Sequence, residues 1–148
     1  MTVVSRGGDY AIRAMLDVAS RPMDSRAVTE RIAERQEIPV AFLSKVVAQL
    51  TQSGLLRTHR GAAGGVFLAK PADGINLRQI LEAVQGPIVL NQCTAPHNGC
   101  PRAATCPVCQ IFLQAQEGLE QVLEQASLDE LVREAATLAG TQSRRGGH

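Results

Sequence analysis

Between Thr29 and Lys70 the apolar residues of this chain change period, and that change limits the possible folds more than any other feature. Ile32 and Ala33, on a short stretch that Thr29 can cap, and then Val40, Leu43, Val46, Val47 and Leu50 recur at the spacing of a helix face. Glu37-Ile38-Pro39 divides the two stretches, since proline cannot continue a helix, and Ser53-Gly54 closes the second. Leu55 to Arg60 and Val66 to Lys70 then read as two short strands joined by the tight turn Gly61-Ala62-Ala63-Gly64-Gly65. Two short helices linked by a turn, with a β-hairpin directly after the second, describe a winged helix-turn-helix.

The flanking segments are helical. Ala11, Ala14, Met15 and Val18 give a first helix over Gly8 to Ser20, with Pro22 beyond its end. Asn76-Leu77-Arg78-Gln79 supplies a cap and a Gln three residues later, opening a helix through Ile80, Leu81 and Val84 that ends at Gly86-Pro87. A long helix starts at Cys106-Pro107, with Cys106 as its cap, Pro107 in its first position and Ile111, Ala115, Leu119, Val122 and Ala126 as one stripe. Ser127-Leu128-Asp129-Glu130 caps a last helix to about Ala139. The long helix carries apolar residues on more than one side, more than a small winged domain can cover, and so reads as the dimerisation helix of a two-fold assembly. The expected fold is mainly α with a small β-hairpin wing. It divides into a DNA-binding domain over 1–85, a cluster-binding loop over 86–106, the dimerisation helix and C-terminal helix over 107–139, and a disordered polar tail over 140–148.

Hydrophobic residues make up 45% of the 148, but there is no Trp, one Tyr and three Phe, so the core must be built from Leu, Ile, Val and Ala, which favours packed helices. Net charge is +1 and unevenly divided: residues 1–85 carry eleven Lys/Arg against eight Asp/Glu, residues 86–148 four against six. The N-terminal part is therefore the side expected to meet phosphate. No apolar run approaches the roughly 20 residues that cross a bilayer, and no secretory signal opens the chain, so a cytoplasmic protein without a membrane partner is expected.

All four cysteines, Cys93, Cys100, Cys106 and Cys109, fall within seventeen residues. That crowding is unlike a disulfide framework and suits metal or redox chemistry in a reducing compartment. Residues three apart on a helix stand roughly 5 to 6 Å from each other, so Cys106 and Cys109 can share one centre, and a helix N-terminus favours thiolate. Four thiolates on a loop containing Asn98-Gly99 and Pro101 match an iron-sulfur cluster, either 2Fe-2S or 4Fe-4S. Structural zinc normally takes two close cysteine pairs, and only Cys106 and Cys109 make one here. Cys106-Pro107-Val108-Cys109 also has the form of a dithiol switch, although no thioredoxin-like βαβ setting surrounds it.

On the helix from Val40, the candidates for contact with base edges and phosphates are Ala41, Phe42, Ser44, Lys45 and Gln49. On the wing they are Arg57 and Arg60, close to His59, with an arginine able to enter a narrow minor groove. An enzyme is not expected: His59, His97 and His148 have no paired acid in a catalytic arrangement, and the wing glycines lack the Gly-Lys-Ser/Thr of a phosphate loop.

Asp9-Tyr10-Ala11-Ile12-Arg13-Ala14-Met15, Ile32-Ala33, Ile38-Pro39 leading into Phe42-Leu43, Ser53-Gly54-Leu55, Arg60-Gly61 and Gly64-Gly65, taken with three spaced cysteines, form a recognisable set. Over about Val4 to Leu138 the chain resembles the Rrf2 family of bacterial transcription regulators, with its IscR-like and NsrR-like branches. The resemblance implies a homodimer on double-stranded operator DNA, with Cys93, Cys100 and Cys106 as cluster ligands, Lys45 in the major groove and Arg60 in the minor groove. IscR-like members take a fourth ligand from a His three residues after the third cysteine, and NsrR-like members from an Asp of the first helix of the partner. Cys109 stands at the first of those places and Asp9 at the second; Cys109 is preferred, as the softer iron ligand that needs no second chain. The expected function is an iron-sulfur-dependent repressor that senses redox state, nitric oxide or iron-sulfur status. The alternative is a zinc- or thiol-based redox-switch regulator of the same fold without a cluster.

Overall fold

The computed structural model describes residues 3–22, 27–61, 64–96 and 99–145. Ser5 opens the first helix: its Oγ accepts from the Gly8 N–H at 3.0 Å, so α1 (Arg6–Ala19) starts two residues earlier than expected. α2 (Thr29–Gln36) begins with Thr29 itself in place of a Thr29 cap, and ends where Glu37 turns left-handed, at φ 54°. α3 (Val40–Gln52) follows Pro39 immediately and buries Leu43, Val46, Val47 and Leu50. These pack with Ala11, Ala14 and Met15 of α1 and Ile32 and Ala33 of α2 into one core.

The wing is an antiparallel hairpin of β1 (Leu56–His59) and β2 (Gly65–Leu68), with Leu56 opposite Leu68 and His59 opposite Gly65. Val66 fixes it to the helices, donating its N–H to the Ala27 carbonyl at 2.6 Å. The turn needs glycine in two ways: Gly61 has φ +95°, and a Cβ on Gly64 would sit 2.3 Å from the His59 carbonyl oxygen. Ala62 and Ala63 lie outside the described residues.

α4 (Leu77–Gln85) has the expected capping box, with Asn76 and Gln79 bonding reciprocally, and buries Ile80 and Leu81 against α1 and α3. α5 (Cys109–Gln125) starts three residues after Cys106, which corrects the expected cap. Cys106 is held by a turn of its own, its N–H on the Arg102 carbonyl at 2.8 Å, and Cys109 closes a second turn onto the Cys106 carbonyl at 3.3 Å. α6 (Leu128–Arg145) corrects the expected tail, since residues 140–145 are helical. Within that stretch Thr141 bonds its hydroxyl to the Thr137 carbonyl four residues back at 3.1 Å, and so spends on the helix itself one of the polar groups that suggested disorder. Backbone bonds from Leu77 to Ala126 and from Leu128 to Ile75 fasten the start of α6 to the N-terminal core, where Leu128 is fully buried. The fold is thus mainly helical with a two-stranded wing, a winged helix. Among the described residues no helix is long and apolar enough to cross a membrane.

Asp17 is a charged group within this core that periodicity did not flag. It joins α1 to α2 through two bonds from Arg35, at 2.8 and 3.0 Å, one from Gln36 at 3.0 Å and one from Arg21 at 3.2 Å. Burial alone would raise its pKa, but the bonds from Arg35, Gln36 and Arg21 outweigh that and hold it below the ordinary carboxylate value of 3.8. A carboxyl with a lowered folded-state pKa contributes stability that is present above the unfolded value and lost as pH falls through the folded one. Asp17→Asn is therefore expected to cost about 2–3 kcal/mol near neutral pH, less than a fully desolvated pair because Arg35 keeps contact with water. The cost should shrink in acid. Urea titrations at pH 7 and pH 3 check this; an equal difference at both would contradict it.

Candidate DNA-binding face and cysteine site

α3 turns its apolar stripe inward, so the opposite face is solvent-accessible by geometry alone. Ala41, Ser44 and Lys45 lie open on it, and so does Val40, which the periodicity placed on the apolar stripe: as the first residue of α3 it is 46% exposed. Two of the expected contacts are partly committed elsewhere. Phe42 stands edge-on to Tyr10 of α1, ring centroids 5.0 Å apart, and Gln49 turns its amide to the Val84 carbonyl of α4 at 3.4 Å. On the wing, Arg57 lies over the Phe67 ring at 5.2 Å and reaches the His59 ring nitrogen at 3.0 Å. Arg60 is exposed where β1 ends. Lys45, Arg57 and Arg60 thus offer cationic groups on the exposed sides of α3 and the wing, the arrangement that meets a groove and its phosphates.

Cys93 lies in a single 3-10 turn, Gln92–Thr94, closed by Asn91 and Thr94 in a reciprocal cap. Cys93 and Cys109 are buried, and Cys100 and Cys106 are half-buried. Burial, a side-chain hydrogen bond with Cys93, and the charges that Cys93, Cys106 and Cys100 carry as thiolates push the Cys109 thiol above its usual value. Cys109 thus lies within electrostatic reach of the other three thiols. Among the described residues no three His, Cys, Asp or Glu converge as a single-ion site would require. The soft, all-sulfur donor set is of the chemical kind that would hold an iron-sulfur group through its irons. His97, Asn98 and His148 lie outside the described residues.

Asp9 is apart from this group in the protomer. It sits in the first turn of α1, 57% exposed, paired with Arg13 at 3.0 Å. Arg13 in turn donates to the Gln36 carbonyl at 2.7 Å and lies over Tyr10 at 4.9 Å.

Two polar links at α5 had no sequence signal, since neither follows a periodic pattern. Arg78 of α4 bonds Glu82 at 2.9 Å on its own helix and reaches Glu120 and Glu124 of α5. Gln116, buried on α5, bonds the chain leading to Cys93.

A family profile described as Rrf2, iron-dependent transcriptional regulator, matches residues 4–134. The transcriptional regulator IscR of Photorhabdus laumondii is 31% identical over 137 residues, covering 91% of this chain and 83% of its own length. IscR of Yersinia enterocolitica is 31% identical over 125 residues, covering 84% and 76%. Among solved structures, T. potens IscR superposes with a TM-score of 0.73 at 25% identity, covering 89% of this chain and 87% of that one. CymR, the global cysteine regulator of B. subtilis, superposes with a TM-score of 0.74 at 22% identity, covering 90% and 98%.

Proposed function

The chain belongs to the Rrf2 family of transcriptional regulators, and on that premise we propose that it is a homodimeric, DNA-binding repressor whose operator affinity is set by an iron-sulfur cluster. Cys93, Cys100, Cys106 and Cys109 are its ligands, and 2Fe-2S is the cluster type. The observation that supports the reading is that Cys109, at the start of α5, is buried within electrostatic reach of Cys93, Cys100 and Cys106, and that α5 packs on α4, the helix that packs on α3. When bound, the cluster supplies a group that gains or loses charge, or is lost, in response to oxidants, nitric oxide or iron supply.

The residues of the chain do the rest. α5 passes any shift of Cys109 to α4 through Arg78 and Glu120, and Gln49 joins α4 to the recognition helix. Lys45 and Ser44 read the major groove, Ala41 offers a methyl group beside them, and Arg60 enters the minor groove. Pairing of two protomers sets their recognition helices on a two-fold site. Its basis is the outer face of α5, where Val108, Ile111, Ala115, Gly118 and Val122 recur at alternating steps of three and four. Ile111 and Val122 are 64% and 66% exposed, and the small Ala115 and Gly118 between them allow close approach.

Anaerobic purification with iron, zinc and acid-labile sulfide analysis tests the cofactor. About two irons and two sulfides per chain with a visible absorption band are expected. Colourless protein without iron or sulfide would overturn it. A thiol switch is the second reading, favoured by the hydrogen-bonded Cys93 and Cys109 pair. There the two thiols would lose two electrons and two protons to a peroxide, which is reduced to water, and a new disulfide in iron-free protein would be the sign.

A further inference from the structure

Gln116 is, with Asp17, one of two polar side chains buried among the described residues, and its carboxamide bonds in three directions. Nε2 donates to the Ile88 carbonyl at 2.6 Å and to Glu120 Oε1 at 3.0 Å, while Oε1 accepts the Leu90 N–H at 3.0 Å. Seven residues separate it from Cys109, which places both on one face of α5 two turns apart. The segment they face runs the opposite way: Ile88 and Leu90 meet Gln116, and Cys93 meets Cys109. The segment from Ile88 to Cys93 is therefore fastened to α5 at two points, one made by the carboxamide and one by the thiols.

We propose that Gln116 is a positioning residue of the cysteine site, fixing the register of the Ile88–Cys93 segment along α5 and so the placing of Cys93 opposite Cys109. An amide is suited to this because it supplies a donor for one backbone carbonyl and an acceptor for a backbone N–H two residues on. Leucine fills the same space and supplies neither, leaving Ile88 O, which is buried, and Leu90 N–H, which is part-buried, without partners. The segment must then shift to reach water, and Cys93 moves with it. Gly86, at φ +76°, lies just ahead of the segment, and the Asn91–Thr94 cap beyond Leu90 keeps the turn that carries Cys93 intact. Displacement would therefore slide that turn as a unit. This rests on the proposed function only in taking the cysteines as the functional site; the spacing of the thiols can be read without metal.

The test uses the full-length, reduced, metal-free chain and the azo oxidant diamide, which takes two electrons and two protons from a thiol pair and becomes the hydrazine. The rate of Cys93–Cys109 disulfide formation reports how often the two sulfurs meet, and mass mapping reports which pairs form. Gln116→Leu is expected to slow that pairing at least tenfold and to divert oxidation to pairs with Cys100 or Cys106. A variant that loses thermal stability but keeps the wild-type rate and pairing would overturn the proposal, since it shows a role in packing alone. If Gln116→Leu does not fold, Gln116→Glu, which keeps the acceptor for Leu90 and loses the donor, is expected to show the same diversion to a smaller extent. Wild-type pairing in that variant would equally overturn it. Iron-free wild-type protein would contradict the proposed function and leave this result standing.

Discussion

Under the proposed function, Cys109→Ala is expected to lower bound iron and sulfide at least tenfold after anaerobic purification, whereas Asp9→Ala leaves the visible spectrum close to wild type. The contrast follows from where the fold puts the two groups. Cys109 is the first residue of α5, buried, hydrogen-bonded to Cys93 and within electrostatic reach of Cys100 and Cys106. A thiolate there binds iron more strongly than an oxygen donor, and its neighbours are already in place. Asp9 lies on α1, exposed and engaged with Arg13, and could join the set only by reaching across a dimer. Iron analysis and the visible spectra of both variants decide the matter. Loss of the cluster in Asp9→Ala with retention in Cys109→Ala would transfer the fourth ligand to the dimer interface.

The second large effect concerns the outer face of α5. Under the proposed two-fold pairing through this face, Val122→Glu, and more so the pair Ile111→Glu with Val122→Glu, is expected to yield a monomer at micromolar concentration. Operator affinity should fall at least a hundredfold. Each of these side chains is about two-thirds exposed in the protomer, and a two-fold contact would bury it together with its symmetry mate. Full burial of such a side chain is worth about 1.5–3 kcal/mol, and an unpaired carboxylate in its place adds a desolvation cost. Separate protomers would also lose the effective concentration that links the two half-sites. Leu113, exposed on another face of α5, provides the control: Leu113→Glu should remain dimeric. Light scattering distinguishes the cases, and a dimer that survives both charges would place the interface elsewhere.

Local signals were legible. Pro39 before α3, the Asn76–Gln79 cap of α4 and the glycines of the wing each act within a few residues, through fixed backbone angles or a short-range hydrogen bond, and the fold shows all three. The apolar stripes of α1 and α3 were legible for the same reason, because their period is set by the helix itself. What escaped depends on partners far along the chain. Phe42 and Gln49 have the sequence signature of exposed groups, yet Tyr10 and Val84 engage them. Gln116 and Asp17 look like surface residues until the segments beside them are in place. The start of α5 was misplaced because a proline after a cysteine fits a helix cap and a turn equally well, and the turn from Arg102 to Cys106 decides between them. In the cysteine region, spacing led to the expectation that the four residues act together; the fold adds that Cys93 and Cys109 are buried and hydrogen-bonded to each other.

Operator binding with and without the cluster tests the central claim most directly. A duplex recovered by selection from a random pool, labelled and titrated anaerobically at fixed salt, gives the affinity of cluster-loaded protein and of the same preparation after iron is removed by chelation. The account predicts isotherms separated by at least tenfold, about 1.4 kcal/mol of coupling, with both affinities falling as salt is raised. Coincident isotherms for loaded and stripped protein would contradict it.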